Sequence, residues 1–145
     1  MPKQKKVAPN WYIAAAHYLM AGAVFPIIGG LVVDAVLQQL KLSDDFTVGL
    51  VKVSAFFVSI YLGARYSSLR VNAIYVIADS KIITNLSTIY FIIITGAYSA
   101  LGIFLAAQTE IWTYLTLFAS LNLIDLILGA VVFFITSKKY ISVAR

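Results

Sequence analysis

Residues 82–109 read IITNLSTIYFIIITGAYSALGIFLAAQT, with no Asp, Glu, Lys or Arg among them. A helix needs about 20 mostly apolar residues to cross the hydrocarbon of a bilayer, and this stretch has them to spare. Residues 7–33 are equally free of formal charge. Reading outward from these two runs, the chain divides into four expected spans, at about 13–40, 46–64, 82–108 and 111–136. Lys52 lies inside the second near one end, and Asp125 interrupts the fourth. All four are expected to be helices, because lipid offers no partner for the backbone of an isolated strand. The fold expected is therefore all-α: one integral membrane domain over 1–145, a bundle of four transmembrane helices.

Composition agrees. Of the 145 residues, 61% are hydrophobic and 12% charged, and the mean hydropathy is +0.92. A soluble domain is closer to half apolar and a quarter charged, and one of this length could not hide so much apolar surface. An ordinary cytosolic enzyme, a disordered tail and a collagen-like chain are excluded. The chain has no cysteine, which removes disulfides, thiolate metal sites and cysteine nucleophiles. The net charge of +5 is not a nucleic-acid footprint, because the basic residues sit in short groups between apolar runs.

Those groups set the expected orientation. Lys3, Lys5 and Lys6 precede the first span, Arg65, Arg70 and Lys81 lie between the second and third, and Lys138, Lys139 and Arg145 follow the fourth. The other side carries Lys41 beside Asp44 and Asp45, and Glu110. The positive-inside rule then places both termini in the cytoplasm, in a plasma or inner membrane. Trp11, Tyr12, Tyr66, Trp112, Tyr114 and Tyr140 fall at the expected interfaces, where half-polar rings are favoured. The first apolar run is too long for a signal-peptide core, so it is read as an uncleaved helix.

Residues 65–79 read as an amphipathic helix on the cytoplasmic side. Arg65, Ser68, Asn72, Tyr75 and Asp79 recur at helical spacing, with Leu69, Ala73, Ile74 and Ile77 on the opposite side. The segment either lies on the interface or extends the second span. A shift of 74 residues lays Gly22-Ala23 over Gly96-Ala97 and Arg65-Tyr66 over Lys139-Tyr140. Identity is otherwise sparse, and apolar helices match by chance.

Helices in lipid associate through small and polar residues. Each span carries such a stripe: Gly22, Pro26, Gly30 and Asp34; Lys52, Ala55, Ser59 and Gly63; Thr88, Thr95, Ser99, Gly102 and Ala106; Asn122, Asp125, Gly129 and Thr136. Pro26 with Gly29-Gly30 is expected to kink the first helix.

Charges inside the membrane are costly and mark candidate sites. Asp34 and Lys52 stand nine residues either side of Ser43, the middle of the outer turn, so a hairpin brings them to one depth and an ion pair is expected. Asp125 is expected about 16–21 Å from either end of its span. Asn122 lies one turn away, and the hydroxyls of Thr95 and Ser99 are its expected neighbours. Asn122 and Asp125 either glue helices together or line a polar pathway. His17, Arg65 and Arg70 are expected at the interface or against a partner. One histidine and no cysteine exclude a haem or zinc site within one chain, so no cofactor or metal is expected.

No P-loop, dinucleotide glycine pattern, zinc-protease helix or serine nucleophile elbow is present. The functional expectation is a non-catalytic membrane subunit, partnered by the lipid bilayer and by other membrane subunits in a homo- or hetero-oligomeric complex, with no nucleic acid. The alternative is a small ion or solute channel or transporter that uses Asp125 and Asn122 in the bundle interior.

Overall fold

The computed structural model describes residues 3–41, 44–107, 113, 116 and 122–142. These form helices α1 (Asn10–Leu40), α2 (Asp45–Ile74), α3 (Ser80–Tyr90, continuing through Phe91–Thr95 and Gly96–Ala107) and α4 (Leu123–Tyr140). There is no strand among the described residues. One bridge pairs Lys6 with Tyr75 and lays the N-terminal arm along the end of α2. Three helices, α1, α2 and α3, are long and apolar enough to cross a membrane. Helix α4 has 18 residues and carries Asp125, Lys138 and Lys139 among them. The expected fourth span began near residue 111, and most of its first half lies outside the described residues.

Local chemistry sets the helix ends. Asp44 caps α2 by accepting from the Thr47 amide at 2.9 Å and from the Thr47 hydroxyl. These two bonds, the side-chain one first, hold its carboxyl below the usual carboxylate range. Asp79 caps α3 through the amides of Lys81 and Ile82 at 2.8 and 3.4 Å. Lys41 turns left-handed, with φ 47°, and stops α1. Asn72 of α2 closes α4: its amide donates to the Tyr140 carbonyl at 2.7 Å, and its oxygen accepts from the Ser142 amide at 3.2 Å.

Two π-helical turns interrupt the regular helices, at Leu19–Val24 in α1 and Phe91–Thr95 in α3. The first precedes Pro26, whose ring cannot donate a backbone hydrogen bond and would crowd the carbonyl of Gly22. Widening the turn relieves that conflict. The turn in α3 rotates its inward face. Ile83, Thr84, Ser87 and Phe91 are buried ahead of it. Thr95 and Ser99 are half-buried beyond it. The expected stripe began instead at Thr88, which is only partly buried; it missed this rotation.

Residues 65–79 take the second of their two expected forms, as far as Ile74, by extending the second span. There is no separate amphipathic helix, because α2 runs unbroken to Ile74 and residues 75–79 are not helical. The side read as apolar divides, with Ile77 buried in the core. Ser67, Ser68 and Val71 are buried, while Leu69 and Ile74 point outward. Lipid is as apolar as leucine, so an apolar side chain gains nothing by turning inward, whereas small polar residues gain partners there.

Among the described residues the core lies at one end. One cluster joins Ile13, Ala14, Val71, Ile77, Ile83 and Ile141. Above it a second joins Tyr18, Ala21, Ile60, Ala64, Phe91, Ala130 and Phe133. The opposite end is loose. Phe25–Leu40 buries only Leu37, and Gly96–Ala107 buries none of its described side chains. Close approach at the packed end depends on glycines. A Cβ at Gly63 would stand 2.9 Å from the Ala21 carbonyl oxygen and 2.8 Å from the Phe25 Cβ, and neither can swing away. At Gly30, by contrast, nothing lies within 4 Å.

Gly63→Ala is therefore expected to lower stability by about 1–3 kcal/mol through overpacking. Gly30→Ala is expected to hold or raise it, since alanine is the better helix former. Thermal unfolding of both variants in the same detergent measures the difference.

Candidate functional site

Three layers stack along the bundle, starting from the packed end. The lowest is a polar node on His17. Its side chain is 0% exposed, with Nδ1 2.8 Å from the Ser67 hydroxyl and Nε2 2.8 Å from the Ser137 hydroxyl. Ser67 also donates to the His17 carbonyl at 3.3 Å. With the Ser67 proton used there, the network assigns Nδ1 as donor to Ser67 and Nε2 as acceptor from Ser137. A neutral ring thus satisfies every partner. The node joins α1, α2 and α4. Ser87 brings in α3 by donating to the carbonyls of Ala14 at 3.2 Å and Ile83 at 2.6 Å.

The second layer is aromatic. His17 leans on Phe133 with centroids 5.2 Å apart, Phe133 stacks on Phe91 at 5.3 Å, and Phe91 meets the edge of Tyr18 at 6.4 Å. Tyr18, Phe91 and Phe133 are all buried and close the bundle above the node.

The third layer is open. A cavity of about 330 Å³ is lined by Tyr18, Gly22, Pro26, Phe56, Thr95 and Ser99 among others. The Tyr18 hydroxyl lies 3.3 Å from that of Thr95 on its wall. A second cavity of about 180 Å³ is lined by Phe56, Thr95, Ser99, Asn122, Asp125 and Leu126. A third, of about 140 Å³, reaches Asp34 and Lys52 past Pro26 and Phe56. Phe56 lines all three. The structure therefore gathers Asn122, Asp125, Thr95 and Ser99 around one space.

Asp34 and Lys52 meet at 2.9 Å, each about half exposed. At such exposure an ion pair contributes little to stability. Asp125 sits near the start of its described helix. Helix α4 starts at Leu123, so Asp125 is in its first turn and not mid-helix. It stands 12 residues from Ser137, about 18 Å along the axis and roughly one turn inward of Lys52. A carboxylate in the first turn is favoured by the helix dipole.

His17 is placed differently from expectation as well. It is sealed between helices and does not face the interface or a partner. Sequence reasoning missed Ser67, Ser87 and Ser137 altogether. The signal for Ser67 was present, since it continues the Ser59, Gly63 stripe by another four residues. Arg65 lies over the Tyr140 ring at 5.6 Å, and Arg70 over Tyr66 at 5.8 Å.

The Ser137–His17 distance equals that of a nucleophile and its base. Both side chains are fully buried, however, and neither lines any of the cavities described above, so no substrate carbonyl reaches them. Among the described residues no three His, Cys, Asp or Glu side chains gather as a metal site. In comparisons with protein families, curated proteins and solved structures, nothing matches this chain.

His17→Ala leaves the Ser67 and Ser137 hydroxyls without their shared partner, at an expected cost of about 1–3 kcal/mol for each group left unsatisfied. Replacing all three together, as His17→Leu with Ser67→Ala and Ser137→Ala, is expected to recover most of that loss. Unfolding temperatures of the wild type and these two variants in one detergent test this. A triple variant no better than His17→Ala would contradict it.

Proposed function

We propose that this chain is a non-catalytic, multi-pass integral membrane protein that serves as a subunit of a larger membrane assembly, with both termini on the cytoplasmic side of a plasma or inner membrane. One observation carries the reading. Gly30, Gly49 and Gly102 lie in the loose halves of α1, α2 and α3, and each faces open space. Small residues let helix backbones approach closely in lipid. Here the seats are present and nothing within the described chain fills them. The packed end gives such a subunit a rigid base, and the open end receives the partner helices. The orientation follows from the basic groups. Arg65, Arg70, Lys138 and Lys139 lie at the packed end with one carboxylate, Asp79, whereas Asp34, Asp44, Asp45 and Asp125 lie toward the other.

Mass measurement of the complex extracted in mild detergent is expected to exceed one chain, and Gly102→Leu is expected to reduce it while the monomer stays helical. A wild-type protein that remains a single chain under mild extraction overturns the reading.

A second reading is favoured by the adjoining cavities around Phe56. They link the Asp34–Lys52 pair to Asp125 at one level, as a small-solute or ion binding region on a transport pathway would. Asp125→Asn separates the readings. Retained assembly with lost flux in proteoliposomes supports transport, whereas lost assembly supports helix-to-helix contact.

A further inference from the structure

The outward groove between α3 and α4 carries two features that adjoin. At the packed end is a cavity of about 170 Å³ lined by Ser80, Lys81, Thr84, Asn85, Phe134 and Lys138. Its lining carries two lysines, one amide side chain and two hydroxyl side chains. Neither lysine is in an ion pair among the described residues. Asp79, the nearest carboxylate in sequence, already accepts from the amides of Lys81 and Ile82. This donor set is cationic and suits an anion.

Phe134 is also the border of the second feature. From it, a groove of about 370 Å³ runs toward the open end between Thr88 and Ile92 on one side and Ile127 and Val131 on the other. Its walls are apolar. Thr88 is no exception, because its hydroxyl donates back to the Thr84 carbonyl at 2.8 Å. Between Lys138 and Leu123, the ends of the two features along α4, lie 15 residues, about 22 Å of helix. That is close to the length of one extended acyl chain.

We propose that this groove binds one anionic phospholipid, its phosphate between Lys81 and Lys138 and one acyl chain along Ile92, Ile127 and Val131. Charge complementarity selects the head, and the continuous apolar trough selects a chain-bearing ligand over a free anion. Basic pockets between transmembrane helices on the cytoplasmic side suit such head groups. The lysines here lie at the end that the basic residues assign to the cytoplasm. The site stands whether the chain serves as a subunit or a transporter, since it uses neither the open glycines nor Asp125.

The test is retention of lipid by the full chain in detergent, read by native mass spectrometry. The two probes are phosphatidylglycerol and phosphatidylcholine with identical acyl chains. One phosphatidylglycerol per chain is expected, preferred by about tenfold or more. Lys81→Gln with Lys138→Gln is expected to remove the preference, while Lys139→Gln, whose ammonium sits over Tyr140 at 5.4 Å, leaves it intact. Val131→Trp, which fills the trough and spares both lysines, is expected to abolish retention of the lipid. Unchanged preference in the double lysine variant overturns the proposal, as does equal retention of phosphatidylcholine. Displacement of the lipid by millimolar inorganic phosphate also overturns it, because the site would then recognise the anion alone.

Discussion

His17 is held by two hydroxyls from two other helices, and much of the bundle follows from that constraint. Inside a membrane there is no water to satisfy a polar side chain and no hydrophobic force to drive helices together. A polar group there must find its partner within the protein. The imidazole does so through Ser67 and Ser137, 2.8 Å from each nitrogen. Ser68, Ser87 and Thr88 turn their hydroxyls back onto carbonyls four residues earlier in their own helices. These local bonds remove the cost of placing hydroxyls in an apolar interior. The His17 bonds differ in kind, because they cross between helices and fix which faces meet.

Close approach at the node requires small residues around it, which gives the molecule its asymmetry. Ala14, Ala21, Gly22, Gly63, Ala64, Gly129 and Ala130 are all buried near the His17 level. They let Phe91 and Phe133 fill the remaining space. Beyond that level Pro26, Phe56, Thr95 and Ser99 line an open cavity, with the exposed Ile94 and Tyr98 at its rim. Cavities form around Phe56 where the helices part, although α1 and α2 still meet closely at Gly29 and Ser59. The two π turns lie at this boundary, in α1 and α3. They are the points at which each helix changes the face it offers.

The helical class and the two charge-free runs within α1 and α3 were readable from length alone, because membrane thickness imposes that length on any sequence, whereas α2 carries Lys52, Arg65 and Arg70 and runs ten residues past its expected end. The meeting of Asp34 and Lys52 was readable too, since hairpin symmetry about Ser43 needs no knowledge of packing. What escaped was rotational. The side of residues 65–79 read as apolar splits, with Leu69 and Ile74 facing out and Ile77 facing in, while Ser67, assigned to neither side, is buried. The π turn at Phe91–Thr95 adds a further rotation that no fixed 3.6-residue period anticipates. His17 looked like an interfacial residue because its depth is right. Its burial depends on serines from α2 and α4 that lie 50 and 120 residues away. Asp125 was read as mid-helix because an apolar run does not reveal where within it a helix begins.

The closed node also constrains how the open cavities can be used. Any route from them through the bundle must separate Tyr18, Phe91 and Phe133 and break both His17 bonds. Breaking such bonds without substitutes costs about 1–3 kcal/mol for each polar group stranded. A cost of that size is within reach of a ligand's differential affinity for two states, but it keeps a resting pore closed. Transport would therefore require a second arrangement of α1 against α2 and α4, with water or substrate replacing the serines. A static subunit requires nothing of the sort. The same bonds that would gate a pathway simply hold its base together, while the unfilled glycines on the open half remain to be covered by neighbours. The packed half is thus used in full by the subunit reading as it stands, whereas the transport reading must spend it on a conformational change.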